Sequence, residues 1–161
     1  MAGFNIQLQP GDVQTDLFTG QNNNPQGILF PGNSLYSPQQ AFRCLFQESD
    51  GDVLIQGVED SELPRIAWTN IWSLRGDLDQ QPIATGPANQ VARLTMQFDG
   101  NLVRYDAAGT VKWASGTQGN QQAFLRMQDD GNLVIYTTDG RPIWATNTNA
   151  GPSGRPKAGP R

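Results

Sequence analysis

The sequence predicts an all-β fold. Three observations carry this: a hairpin-bearing unit that recurs along the chain, Asp-Gly pairs set between alternating apolar runs, and a composition rich in amides, Gly and Pro rather than charge. Only 16% of the 161 residues are charged, against about a quarter in an ordinary soluble domain. In their place stand 17 Gln and 12 Asn, with 18 Gly and 11 Pro. Amides donate and accept hydrogen bonds without carrying charge, which suits exposed sheet faces and neutral polar ligands. Frequent Gly and Pro imply many turns and short elements. The length suits one domain with its own core.

From the N-terminus, Phe4, Ile6 and Leu8 alternate with Asn5, Gln7 and Gln9, the pattern of a short strand. An Asn-rich linker follows at Gln21–Gln26, and then the apolar run Gly27–Leu35. The first, faint copy of the repeat is Phe42–Gln56, FRCLFQESDGDVLIQ, with Trp68 after it in RIAWTN. Leu74–Gln90, with Pro82 and Pro87, reads as a long polar connection. The two clear copies are Ala92–Thr117 and Ala123–Thr148, identical at 14 of 26 positions. Gly151–Arg161 is a Gly/Pro-rich tail.

Each unit reads as strand, turn, strand, turn, strand. Asp-Gly between alternating apolar runs is a strong hairpin signal, met at Asp50-Gly51, Asp99-Gly100 and Asp130-Gly131. After the turn, Asn101, Val103 and Tyr105 share one strand face and Leu102 points to the other. Gly109 and Gly140 mark a second turn. Trp113 and Trp144 follow it and are expected to meet Trp68 in the core, as the largest apolar groups available. One such unit cannot bury its apolar face alone, whereas three can close around a common core.

Several chemistries drop out. The chain has no His, which removes Ser–His–Asp and Cys–His catalysis and His-ligated metals. The single cysteine, Cys44, lies in an apolar run and reads as a small core residue. A net charge of −4 with no basic stripe argues against nucleic acid. The carboxylate pairs Asp129/Asp130 and Asp50/Asp52 fall in turns, where such groups are solvated, so glycosidase chemistry is not expected. Arg75-Gly76-Asp77 reads as an ordinary turn. Residues 1–14 lack a basic, then apolar, leader, and no run is long enough to cross a membrane. The expected locations are therefore the cytoplasm, export without a leader, or a place in a larger particle.

Gln-x-Asp-x-Asn-x-Val-x-Tyr occurs twice without departure, as Gln97, Asp99, Asn101, Val103, Tyr105 and as Gln128, Asp130, Asn132, Val134, Tyr136. Each copy is followed by Gly and Trp at the same offsets. In this, and in GILFPGNSL (Gly27–Leu35) and PIWATNT (Pro142–Thr148), the chain resembles the bulb-type mannose-binding lectins of monocots. The resemblance implies a β-prism II fold: three four-stranded antiparallel sheets with pseudo-three-fold symmetry over residues 26–149. Residues 1–25 would then be an extension with a docking strand, and 150–161 a tail.

The resemblance also implies a non-enzymatic lectin that needs no metal or other cofactor. Asp99 and Asn101 would hold the axial O2 of mannose, Gln97 its O3 and Tyr105 its O4, with Val103 against the C3–C4 edge. Asp130, Asn132, Gln128, Tyr136 and Val134 would repeat these roles. In the first copy, Gln47, Asp50, Asp52, Leu54 and Gln56 depart from the pattern by an extra residue, by Asp for Asn and by Gln for Tyr, so that site reads as lost. The expected partners are mannose-type glycans and further copies of the chain. The alternatives are an assembly subunit of a larger particle and a lectin-like antibacterial protein.

Overall fold

The computed structural model describes residues 14–19, 27–48, 51–58, 68–74 and 91–149. The strands are β1 (Asp16–Leu17), β2 (Ile28–Leu29), β3 (Ser34–Tyr36) and β4 (Phe42–Phe46). Then come β5 (Val53–Val58), β6 (Trp68–Ser73), β7 (Val91–Met96) and β8 (Leu102–Asp106). The last are β9 (Val111–Ala114), β10 (Phe124–Met127), β11 (Leu133–Tyr136) and β12 (Pro142–Ala145). They form three antiparallel four-stranded sheets. Sheet one runs β3-β4-β5-β6, sheet two β2-β7-β8-β9 and sheet three β1-β10-β11-β12. The predicted all-β architecture of three four-stranded sheets is what the chain adopts.

Each repeat supplies three strands, and the N-terminal segment supplies the fourth strand of every sheet. Asp16 and Leu17 pair with Arg126 and Leu125. Ile28 and Leu29 pair with Thr95 and Leu94. Ser34–Tyr36 pairs with Leu45–Arg43. β1 thus lies within the first 25 residues, and the prism begins upstream of Gly27. The alternating segment Phe4, Ile6, Leu8, the tripeptide at Arg75–Asp77, the rest of the 74–90 connection, Asp50 and the tail after Asn149 lie outside the described residues.

Strand alternation sends every second side chain inward. Leu35, Cys44, Phe46, Val53 and Ile55 come from sheet one, and Leu94, Met96 and Leu102 from sheet two. Leu17, Leu125, Met127, Leu133 and Ile135 come from sheet three, and all of these join one core. Cys44 is fully enclosed there, and burial pushes its thiol pKa up to about 12, which marks a packing residue.

The third core tryptophan is Trp72, not the expected Trp68. Trp72 faces Ile55 across β5–β6, as Trp113 faces Arg104 and Trp144 faces Ile135. A register shift follows at the same place in each sheet, after Ile55, Arg104 and Ile135. The three tryptophans, with Leu94, Leu102 and Leu133, line one small cavity where the sheets meet, and Trp113 and Trp144 touch edge to face at 5.8 Å. Trp68 pairs with Val58 at the start of β6 and stays partly exposed. Strand register, not order along the chain, decides which tryptophan is central.

Arg104 occupies the inward position that Ile55 and Ile135 fill in the other sheets, and it is 2% exposed. Its Nη1 donates to the Gly51 carbonyl at 3.0 Å, tying sheet two to the hairpin turn of sheet one.

Candidate functional site

Both intact motifs wrap a hairpin whose turn demands glycine. Gly100 has φ 92°, and a Cβ there would sit 2.3 Å from the Asn120 carbonyl oxygen. Gly131 has φ 91° and is crowded by the Thr148 carbonyl at 3.0 Å and by the Phe42 ring. Gly100 and Gly131 donate back to the carbonyls of Gln97 and Gln128, both at 3.0 Å. The carboxylates close the same turn: Asp99 Oδ1 accepts from the Asn101 N–H at 2.9 Å, and Asp130 Oδ1 from the Asn132 N–H at 2.9 Å.

The asparagines are held by a clasp that the sequence reading did not single out. Asn101 Oδ1 accepts from Gly116 N at 2.9 Å, Ser115 Oγ at 3.1 Å and Thr117 N at 3.3 Å. Asn132 Oδ1 accepts from Asn147 N at 2.9 Å, Thr146 Oγ1 at 3.2 Å and Thr148 N at 3.3 Å. Ser115 and Thr117 share a further bond at 2.7 Å, and Thr146 and Thr148 one at 2.8 Å. With its oxygen saturated, each amide presents Nδ2 as its remaining polar group, a pure donor. The signal was present twice, as Ser-Gly-Thr and Thr-Asn-Thr after Trp-Ala.

The glutamine and tyrosine of each motif are hydrogen-bonded to each other. Gln97 Nε2 donates to the Tyr105 hydroxyl, whereas the Tyr136 hydroxyl donates to Gln128 Oε1. Gln128 Nε2 also reaches Asp130 Oδ1 and Oδ2 at 3.1 and 3.3 Å. In sheet three the Gln–Tyr pair and the aspartate are thus joined; in sheet two the Gln97–Tyr105 and Asp99–Asn101 pairs share the same outward face, and both carboxylates are exposed. Val103 and Val134 lie on the same face but are each 3% exposed, so little apolar surface is open to a ring there.

The two patches differ in their backing. Arg93 lies over the Tyr105 ring at 4.3 Å, while Phe124 stacks on Tyr136 at 5.8 Å. Thr95, beside Val103, has a buried hydroxyl with no partner among the described residues. At the matching place in sheet three, Arg126 forms a bidentate pair with Asp16, both bonds 2.8 Å.

The first copy is built differently. Asp52 and Gln56 are 5% and 8% exposed. Asp52 Oδ1 accepts from Val53 N at 2.9 Å. Gln56 is tied at both ends, accepting from Arg43 Nε and donating to Asn70 Oδ1, each at 2.7 Å. Gln47 is partly exposed and Leu54 is buried.

Solved structures with the same architecture are lectins. A lectin of Marasmius oreades matches with TM-score 0.60 and 26% identity, covering 84% of this chain and 92% of its own. A monomeric monocot mannose-binding lectin from Gastrodia elata matches at TM-score 0.59 and 27% identity, over 85% of this chain and 100% of its own. The mannose-specific agglutinin of snowdrop, Galanthus nivalis, solved with methyl-α-D-mannoside, matches at 0.53 and 29%, over 86% of this chain and 100% of its own. The chain has the bulb-type lectin fold. No protein-family model and no curated protein matches the sequence. The neighbours' character as lectins agrees with a binding protein rather than an enzyme.

Proposed function

We propose that this protein is a metal-independent lectin that reads mannose-type glycans through two sites, one on sheet two and one on sheet three. The observation that carries the reading is the repetition of one polar constellation, bond for bond, at Asp99/Asn101 and Asp130/Asn132. A pyranose offers adjacent hydroxyls that each donate and accept. Each patch answers with a carboxylate acceptor, an amide N–H donor, and a Gln–Tyr pair that can do either. Bonds to the carboxylate are the strongest of these. The two contacts that share one strand face favour a sugar whose O2 is axial, which mannose has and glucose lacks.

The patch residues already bond to one another, so the sugar exchanges hydrogen bonds rather than adding them. The net gain per bond is only about 1 kcal/mol. A single site is therefore expected near millimolar affinity, about −4 kcal/mol, and useful binding needs both sites on a multivalent glycan. Each sheet has four strands among the described residues. Titration with methyl mannoside, with and without chelator, tests the reading. Calcium-free binding with galactose inactive supports it; loss of binding with chelator, or equal competition by galactose, overturns it.

A further inference from the structure

On the face of sheet one, four residues form a single cross-strand row. Tyr36 pairs with Arg43, Arg43 with Gln56, and Gln56 with Asn70. Gln56 is engaged at both ends by its neighbours, which fixes what the row can offer. Arg43 uses Nε, and its two Nη groups have no partner among the described residues. Asn70 is exposed and uses Oδ1, so Nδ2 is its remaining polar group. Both remaining groups are donors only. Beside them the Trp68 ring is covered on one side by the Arg43 guanidinium at 4.3 Å, with Tyr36 6.3 Å away.

We propose that sheet one, where the mannose pattern is lost, is a separate binding face for a carboxylate-bearing sugar such as a uronic acid. Sheets two and three alternate donor and acceptor, as neutral hydroxyls require; among the described residues, the Tyr36–Arg43–Gln56–Asn70 row presents the Arg43 and Asn70 donors and contains no carboxylate, as an anion requires. A guanidinium held by stacking and by its Nε bond presents its Nη edge in the fixed geometry that matches a carboxylate. The partly exposed Trp68 and Tyr36 rings supply the apolar surface on which a pyranose can lie. The chain's overall charge of −4 does not gather anions, so the attraction belongs to this row.

The test follows the indole N–H signals of the tryptophans by NMR, with the Trp68 signal assigned from Trp68→Phe. Methyl glucuronide should shift that signal at millimolar concentration. Methyl glucoside and sodium acetate should each act at least tenfold more weakly, because each lacks one half of the ligand. Arg43→Gln should reduce glucuronide binding at least tenfold, and Arg43→Lys should restore only part of it. Trp68→Leu should reduce it, read from the signals of the remaining sheet-one residues. Methyl mannoside should neither shift Trp68 nor compete, and its own titration, which reports on sheets two and three, should be unchanged in every variant. Acetate acting as well as glucuronide, competition by mannoside, or undiminished glucuronide binding in both Arg43→Gln and Trp68→Leu would overturn the proposal.

Discussion

At Asn101 and Asn132 one amide atom serves the fold, and the other is the donor that the proposed sugar sites would use. Oδ1 anchors the 115–117 and 146–148 turns, and Asp in its place keeps that acceptor. It converts Nδ2 from donor to acceptor beside an existing carboxylate. Asn101→Asp should weaken the sheet-two site about tenfold, on the order of 1–2 kcal/mol, with little change in melting temperature. Asn132→Asp should do the same in sheet three. The double variant should be folded and blind to mannose by calorimetry; mannose binding that persists would assign a role to sheet one.

Asp106 supplies a pH dependence at the same scale. The Thr110 N–H foremost, then the Ala108 N–H and Lys112, hold its carboxyl below the usual carboxylate range, against a smaller opposing effect of desolvation. The Thr137 hydroxyl does the same for Asp139. A lowered folded pKa gives stability that is present above the unfolded value, near pH 4, and lost as pH falls through the folded value. Melting temperature should therefore fall as pH drops below about 4. Asp106→Asn with Asp139→Asn should flatten that drop; an equally steep fall in the double variant would place the acid sensitivity elsewhere.

Among the elements, β1 is the least secure. It is two residues long, and its side-chain anchors are buried Leu17 and the Asp16–Arg126 pair. The pair holds the Arg126 guanidinium in its charged form, through the Asp16 hydrogen bonds above all. It is partly exposed and so contributes about 0.5–1 kcal/mol. Asp16→Ala should cost that much and raise amide exchange at Leu17 and Met127 before the rest of sheet three. Unchanged exchange would mean that Leu17 alone holds the strand.

The elements also show what the sequence made legible. Repeated Asp-Gly turns and alternation gave β7–β8 and β10–β11 nearly complete, because their period and turn chemistry are local. β1 was invisible: two residues have no period, and its partner lies over a hundred residues away. The two motifs predicted which side chains share a face. They did not predict that Val103 and Val134 would be covered, or that Ser115, Thr117, Thr146 and Thr148 would hold the asparagines, since both depend on neighbouring strands.

Across the whole molecule, register assigns the central tryptophans. Trp72→Ala should leave a hole where three sheets meet and cost about 3 kcal/mol in urea unfolding. Trp68→Ala should forfeit mainly its stacking with Arg43, about 1 kcal/mol. The reverse order would restore Trp68 to the core.

The strand pairing has a consequence for how the chain folds. The N-terminal strands are nested like brackets: Ser34 meets Leu45, Ile28 meets Thr95, and Asp16 meets Arg126. The sequence separation grows from 11 residues for the first pair to 110 for the last. Loop closure over a tenfold longer stretch costs about 2 kcal/mol more, so sheet one closes on local contacts and sheet three must wait. During synthesis, sheet one can assemble once β6 has emerged, while Leu17, made before it, has no strand to join until the third repeat arrives. The last repeat is therefore what completes the beginning of the chain. A ribosome stalled before β10 would hold a nascent protein with the strands of two sheets complete and β1 still without its partner, the form most exposed to aggregation.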